Sequence, residues 1–160
     1  MAIGQFYGMV GALLWHPATD RYLILQRSAE KDFAAGEWEC TTGRVDQGEG
    51  FTEAVRREVH EELGVEVEID FILGTAHFYR GEALPENEII GVMFCCSLDD
   101  PRAIRTSWEH SNQRWVTVQE AEDLLSRDHW LSRAIHRAGT LRQLMPDDLI
   151  AYYRREGFIA

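Results

Sequence analysis

The stretch Gly43-Arg-Val-Asp-Gln-Gly-Glu49-Gly-Phe-Thr-Glu-Ala-Val-Arg-Arg57-Glu58-Val59-His-Glu61-Glu62-Leu63-Gly64-Val65 constrains this chain more than any other. Its first part, Gly43 to Gly50, is rich in glycine and charge, as a structured loop is. Residues 51 to 63 then carry helical periodicity, with Val55, Val59 and Leu63 at i, i+4 and i+8, and Gly64 where helices often end in a left-handed turn. On a helix turning about 100° per residue, Glu58 at zero puts Glu61 at about −60° and Glu62 at about +40°, while the apolar stripe falls at about +60° to +140°. The three carboxylates share one face, beside the buried stripe rather than opposite it. A site at the edge of the core is implied.

Like charges at i, i+3 and i+4 oppose helix formation, at about 4 kcal/mol per pair for a 4 Å separation and the effective dielectric of a protein surface. A hard divalent cation offsets that repulsion, because it prefers carboxylate oxygens and shares them with substrate phosphates. Taken alone, the string also reads as a solvated helix face balanced by Arg56 and Arg57.

The flanking sequence supplies elements of both kinds. Residues 5 to 15 and 22 to 27 are apolar and β-prone, with His16 to Asp20 as the turn between them, and read as a hairpin. A loop from Ser28 to Gly36 precedes a short strand at Trp38 to Thr42. Alternation returns at Val65, Val67, Ile69 and Phe71, an apolar run from Ile89 to Leu98 predicts a central strand, and Arg114 to Val116 a last one. Thr117 with Glu120 makes a capping box for a helix through Leu125. Two more helices are expected, from Trp130 to Leu144, weakened at Gly139, and from Pro146, with Asp147 and Asp148 in its first turn. Interleaved strands and helices predict an α/β (α+β) fold with a mixed sheet between helical layers.

With 160 residues, 45% of them hydrophobic, and no low-complexity linker, one domain over residues 1–160 is expected. The formal net charge of −11 opposes a large nucleic-acid footprint, although a bound metal reverses the local field for a small phosphorylated ligand. Cys40, Cys95 and Cys96 read as reduced, small apolar side chains, and Cys95 and Cys96, as strand neighbours, point to opposite faces. With no secretory leader and no run of membrane-spanning length, a cytoplasmic protein without a membrane partner is the default, as a monomer or homodimer.

The Gly43–Val65 segment resembles the Nudix box, G-x5-E-x7-R-E-U-x-E-E-x-G-U with U a bulky aliphatic residue, at every specified position. At ordinary residue frequencies such a match arises by chance about once in 10⁸ starts. The strand ending at Arg27 and the segment Glu109 to Val116, followed by Glu120 and Leu124, resemble the family's flanking elements. The resemblance implies a Nudix-type α/β/α sandwich and a Mg²⁺ enzyme, with Mn²⁺ as the alternative. Such an enzyme hydrolyses a small nucleoside diphosphate derivative to a nucleoside monophosphate and phosphorylated X. By position, Glu58, Glu61 and Glu62 look like the metal-binding acids, with the Gly43 carbonyl as a further ligand. Glu49 and Arg57 resemble the pair that locks the loop onto the helix, which Gly64 ends. Many members have Pro-Gly-Gly where this chain has Thr41, Thr42 and Gly43.

Glu58, at the centre of the acidic face, is the first candidate for the base that takes water's proton, and Glu109 is its rival. Arg27, Phe78 and Tyr79 are the candidates for substrate contact, Phe78 or Tyr79 by stacking a base, with core packing the competing role for Phe78. Two other readings stay open. One is an enzyme similar to isopentenyl diphosphate isomerase, whose chemistry needs a specifically placed cysteine and acid. The other is a non-catalytic Nudix domain that senses nucleotides.

Overall fold

The computed structural model describes residues 5–158. The elements run β1 (Tyr7–His16), β2 (Arg21–Arg27), β3 (Trp38–Glu39), β4 (Thr41–Arg44), α1 (Phe51–Leu63), β5 (Glu68–Tyr79), β6 (Glu88–Ser97), β7 (His110–Val116), α2 (Val118–Leu125), α3 (Trp130–Leu144) and α4 (Asp147–Glu156). The strands form one seven-stranded sheet in the order β3-β2-β1-β6-β5, with β4 also on β1 and β7 also on β2. Only β1 and β6 run parallel, so the sheet is mixed, as the interleaved pattern predicts. No described helix is long and apolar enough to cross a membrane.

Strand alternation builds two cores. Val10, Ala12 and Leu14 of β1 and Leu23 and Leu25 of β2 face α1, where they meet Ala54, Val55, Val59 and Leu63. Leu13, Tyr22 and Ile24 face the other way, against Ala121, Leu131, Ile135, Ala138 and Ile150 of α2, α3 and α4. The three cysteines are free and buried. Cys96 belongs to the first core and Cys95 to the second, because successive side chains on a strand point to opposite faces.

Three local expectations are revised. The chain after Trp38 does not turn into loop at Gly43; β4 continues through Gly43 and Arg44, held by β1 from Met9 to Ala12. The alternation Val65, Val67, Ile69, Phe71 does not keep one face. Ile69 pairs with Cys96 and Phe71 with Cys95, a β-bulge at Asp70 that carries Phe71 into the second core. Gly139 does not interrupt α3: a Cβ there would stand 3.1 Å from Val118 Cγ2, so glycine lets α2 and α3 approach closely.

Candidate active site

Helix α1 starts from extended Gly50, whose N–H donates to Glu53 Oε2 at 2.8 Å, and ends at Gly64 (φ 68°), whose N–H donates to the His60 carbonyl. The left-handed φ favours glycine there. Arg57 ties the preceding loop to this helix. Its Nε and Nη2 reach the two oxygens of Glu49 at 2.9 Å each, and Nη2 also donates to the Arg44 carbonyl at 2.8 Å. The guanidinium holds the Glu49 carboxyl below its ordinary range. A bidentate contact of this kind fixes orientation as well as charge.

The acids of α1 descend from solvent to core. Glu61 is exposed, Glu58 mostly covered, and Glu62 buried at 4% exposure. Arg57 Nη1 donates to Glu58 Oε1 at 2.7 Å and to Glu61 Oε2 at 3.4 Å. The Glu58 carboxylate lies against the Cα of Gly43, where a Cβ would come within 1.8 Å of its carboxyl carbon. Only glycine at 43 leaves room for that acid, which accounts for glycine in a strand where it otherwise weakens pairing.

Glu62 is the anomaly of the site. Burial, and then the charges of Glu39 and Glu58, push its carboxyl up to about 8, and its Oε2 has no hydrogen-bond partner among the described residues. Burial also raises Glu58, against the pull of Arg57. A buried polar oxygen without a partner costs about 1 to 3 kcal/mol, more when charged, and its persistence calls for a ligand. Glu39 was missed by sequence reasoning. It is buried on β3, with Arg27 Nη1 at 2.7 Å from both its oxygens and His110 Nε2 at 3.1 Å from Oε1. Burial alone would raise its carboxyl, but the His110 and Arg27 hydrogen bonds outweigh that and hold it low. The signal was available: Trp38 and Cys40 pack into the second core, so Glu39 between them points inward toward α1, an unusual place for an acid.

The remaining candidates lie around this centre. Arg27 does not stand free: besides gripping Glu39, its Nε donates to the Phe33 carbonyl at 2.9 Å. Glu109, just before β7, forms an ion pair with Lys31, and its carbonyl accepts from the Ser28 N–H at 2.8 Å. Phe78 is exposed at the far end of β5, and Tyr79 packs edge-on against His77. The structure thus brings together Gly43, Glu49, Arg57, Glu58, Glu61 and Glu62.

A divalent cation fits this donor set. Among the described residues no three acid, His or Cys side chains already form a closed metal cage, since Arg57 stands between Glu58 and Glu61. The unpartnered Glu62 oxygen, the coulombic strain among Glu39, Glu58 and Glu62, and the all-oxygen chemistry nevertheless match a hard cation that keeps part of its coordination for water and phosphate.

Comparison with known proteins gives the same direction. A family model described as NUDIX domain matches residues 8–138. An uncharacterized Nudix hydrolase of Yersinia pestis is 31% identical over 109 residues, 66% of this chain and 56% of that protein. An octanoyltransferase of Myxococcus xanthus is 31% identical over 105 residues, 66% of this chain but 29% of its own length. The chain therefore spans roughly half or less of these two relatives. The MutT protein of Methanosarcina mazei shares the fold, with a TM-score of 0.66 at 24% identity over 99% of this chain and 100% of that one.

Proposed function

The chain belongs to the Nudix family, and on that premise we propose that it is a Mg²⁺-dependent pyrophosphohydrolase, with Mn²⁺ as the alternative metal. It cleaves nucleoside diphosphate derivatives into a nucleoside monophosphate and phosphorylated X. The observation that carries this reading is the buried, unpartnered carboxylate oxygen of Glu62 beside Glu58 and Glu39. Glu58, Glu61, Glu62 and the Gly43 carbonyl are the groups that would hold the metal. Once bound, the cation neutralises the diphosphate and lowers the pKa of water.

The chain's own residues supply the rest. Glu58 would accept water's proton: burial raises its carboxyl, and Arg57 engages Oε1, which leaves Oε2 to act. Arg57 holds the loop so that Gly43 stays against Glu58. Lys31 screens Glu109, and its ammonium is pulled below its usual range by burial and by Arg27. The isomerase reading has less support, since Cys40, Cys95 and Cys96 are all buried with thiols pushed up by burial. The free thiols fit a reducing compartment, and the cytoplasm is the proposed location. A panel of nucleoside diphosphate derivatives and isopentenyl diphosphate, incubated with Mg²⁺ and separated by chromatography, tests the assignment. Nucleoside monophosphate release is expected; isomerised diphosphate, or no product from any compound, would overturn it.

A further inference from the structure

Two strands close the sheet, β7 outside β2 and β5 outside β6, and each pairs with one neighbour only. An unpaired edge offers a row of free N–H and C=O groups to any further strand, and folds normally guard it. β7 is guarded. It exposes Ser111, Asn112, Gln113 and Arg114 in succession, and Asn112 Oδ1 accepts from the Gln113 N–H at 2.9 Å. The first half of β5 is guarded too. Two β-bulges bend it, between Ile69 and Phe71 and between Ile72 and Gly74, and α4 packs on it through the Arg154 contact with Asp70.

The second half of β5, residues 74–79, has none of these guards. The Arg80 N–H donates inward to the Asn87 carbonyl at 2.9 Å, and antiparallel alternation then turns the N–H and C=O of Tyr79, His77 and Thr75 away from β6. None of those outward groups has a partner among the described residues. Residues 71–79 include no Asp, Glu, Lys or Arg, although the chain carries a net charge of −11. Ile72, Phe78 and, on the adjoining strand, Ile90 are exposed around this stretch. A lysine, a proline or a bulge would ordinarily break such an edge, and here the strand is left ready to pair.

The same residues say what pairs with it. Two copies of so acidic a chain repel across most of their surfaces, and an uncharged strand is where they can approach. The segment also complements itself. In an antiparallel pairing about a twofold axis at His77, Thr75 of one copy stands opposite Tyr79 of the other, and Ala76 opposite Phe78. Each outward N–H then meets an outward C=O, and the small Ala76 side chain leaves room for the Phe78 ring on its face of the sheet. His77, at the axis, has its Nε2 held by Glu88 at 2.9 Å, so each imidazole comes with its own acid.

We propose that the chain forms a twofold homodimer in which residues 75–79 of β5 pair antiparallel with the same residues of a second copy, joining two sheets into one. The interface is isologous, as a twofold requires, and it does not depend on the reaction proposed above.

A ladder this short lies at the low end of specific interfaces, so the dimer should form between about 10 and 300 µM. Sedimentation equilibrium over that range should show the mass rising from one chain to two. Amide exchange read by NMR over the same range should slow at least about tenfold at Thr75, His77 and Tyr79 and stay unchanged along β7. Thr75 is exposed, so Thr75→Lys adds the charge that guards other edges, and Thr75→Pro removes an outward N–H without touching the bonds to β6. Both variants should remain single chains at the highest concentration, with the circular dichroism spectrum unchanged. If Thr75→Pro fails to fold, Thr75→Lys, which leaves the backbone intact, carries the test alone. A wild type that stays a single chain throughout overturns the proposal. So does a dimer whose Thr75, His77 and Tyr79 amides exchange as in the dilute protein, or a Thr75→Lys protein that dimerises like the wild type.

Discussion

Asp70 and Glu62 are both buried carboxylates, and they lie against opposite layers of helices in opposite states. Asp70 is fully buried, and every approach to it is occupied. Arg142 donates to Oδ2, Arg154 to Oδ1 from Nε at 2.8 Å and Nη2 at 2.5 Å, and Ser97 Oγ to Oδ1 at 3.1 Å. The β-bulge at Asp70 aims it at α3 and α4, and the network pins both helices to the sheet. Glu62 has one oxygen without a partner and two acids for neighbours. A buried acid that holds a fold together is satisfied within the fold; one kept for chemistry is left for something else to satisfy.

The largest effect expected from that contrast is on turnover. Glu62→Gln keeps the size of the side chain but loses its charge, so kcat should fall by about 10³ or more, equivalent to about 4 kcal/mol, with the circular dichroism spectrum unchanged. Glu58→Gln should abolish turnover while leaving substrate affinity largely intact. Near wild-type rates in either variant would move the chemistry off this helix.

Asp70→Asn should do the reverse. It leaves the largely buried Arg142 guanidinium without its counter-charge, and breaking a buried pair from one side costs about 3 to 5 kcal/mol. For a domain of this size that is a fall in Tm on the order of 10 °C, with the rate per folded molecule preserved below the transition. A large loss of kcat without loss of Tm would mean that Asp70 belongs to the site after all.

The difference between the two acids also explains what could be read in advance. The acidic face and most elements follow from local periodicity, and the loop-to-helix pairing from the resemblance of 23 residues to the Nudix box. Glu39 was legible only through its neighbours Trp38 and Cys40, which fix the inward face of a two-residue strand. The bulge at Asp70 was hidden, because Val65, Val67, Ile69 and Phe71 alternate perfectly and one inserted residue leaves no mark in such a run.

An effect of comparable size should appear in stability against pH. The Glu62 carboxyl is raised from 4.5 to about 8 in the folded protein, so without metal its contribution is fully present below about 4.5 and is lost as the pH rises through about 8. Across that window apo wild type should lose about 1.4 kcal/mol per pH unit relative to apo Glu62→Gln. Urea melts in EDTA at about pH 5 and pH 8 read the difference, and parallel behaviour of the two proteins would show that Glu62 is as well satisfied as Asp70. On the proposed reading, added Mg²⁺ should raise the wild-type Tm more than the variant's.

The smallest effect is expected at Glu109, which stands between the two extremes. It is about one-third exposed and has one partner, Lys31, so it has neither the closed network of Asp70 nor the unsatisfied oxygen of Glu62. Its carboxylate is already engaged by Lys31, and its side chain is in reach of bulk water. Its backbone carbonyl, which is untouched by a side-chain change, keeps the Ser28 loop in place. Glu109→Gln should therefore lower kcat less than about tenfold, under about 1.4 kcal/mol of transition-state stabilisation. Freed Lys31 then feels the charges of Glu39, Glu62 and Asp32, so the variant's metal requirement should rise modestly as an ammonium competes for the same acids. Rates measured across a Mg²⁺ titration separate the two consequences. If Glu109→Gln costs as much as Glu58→Gln at saturating Mg²⁺, the base sits on the loop before β7, and Lys31 is the group that holds it in position.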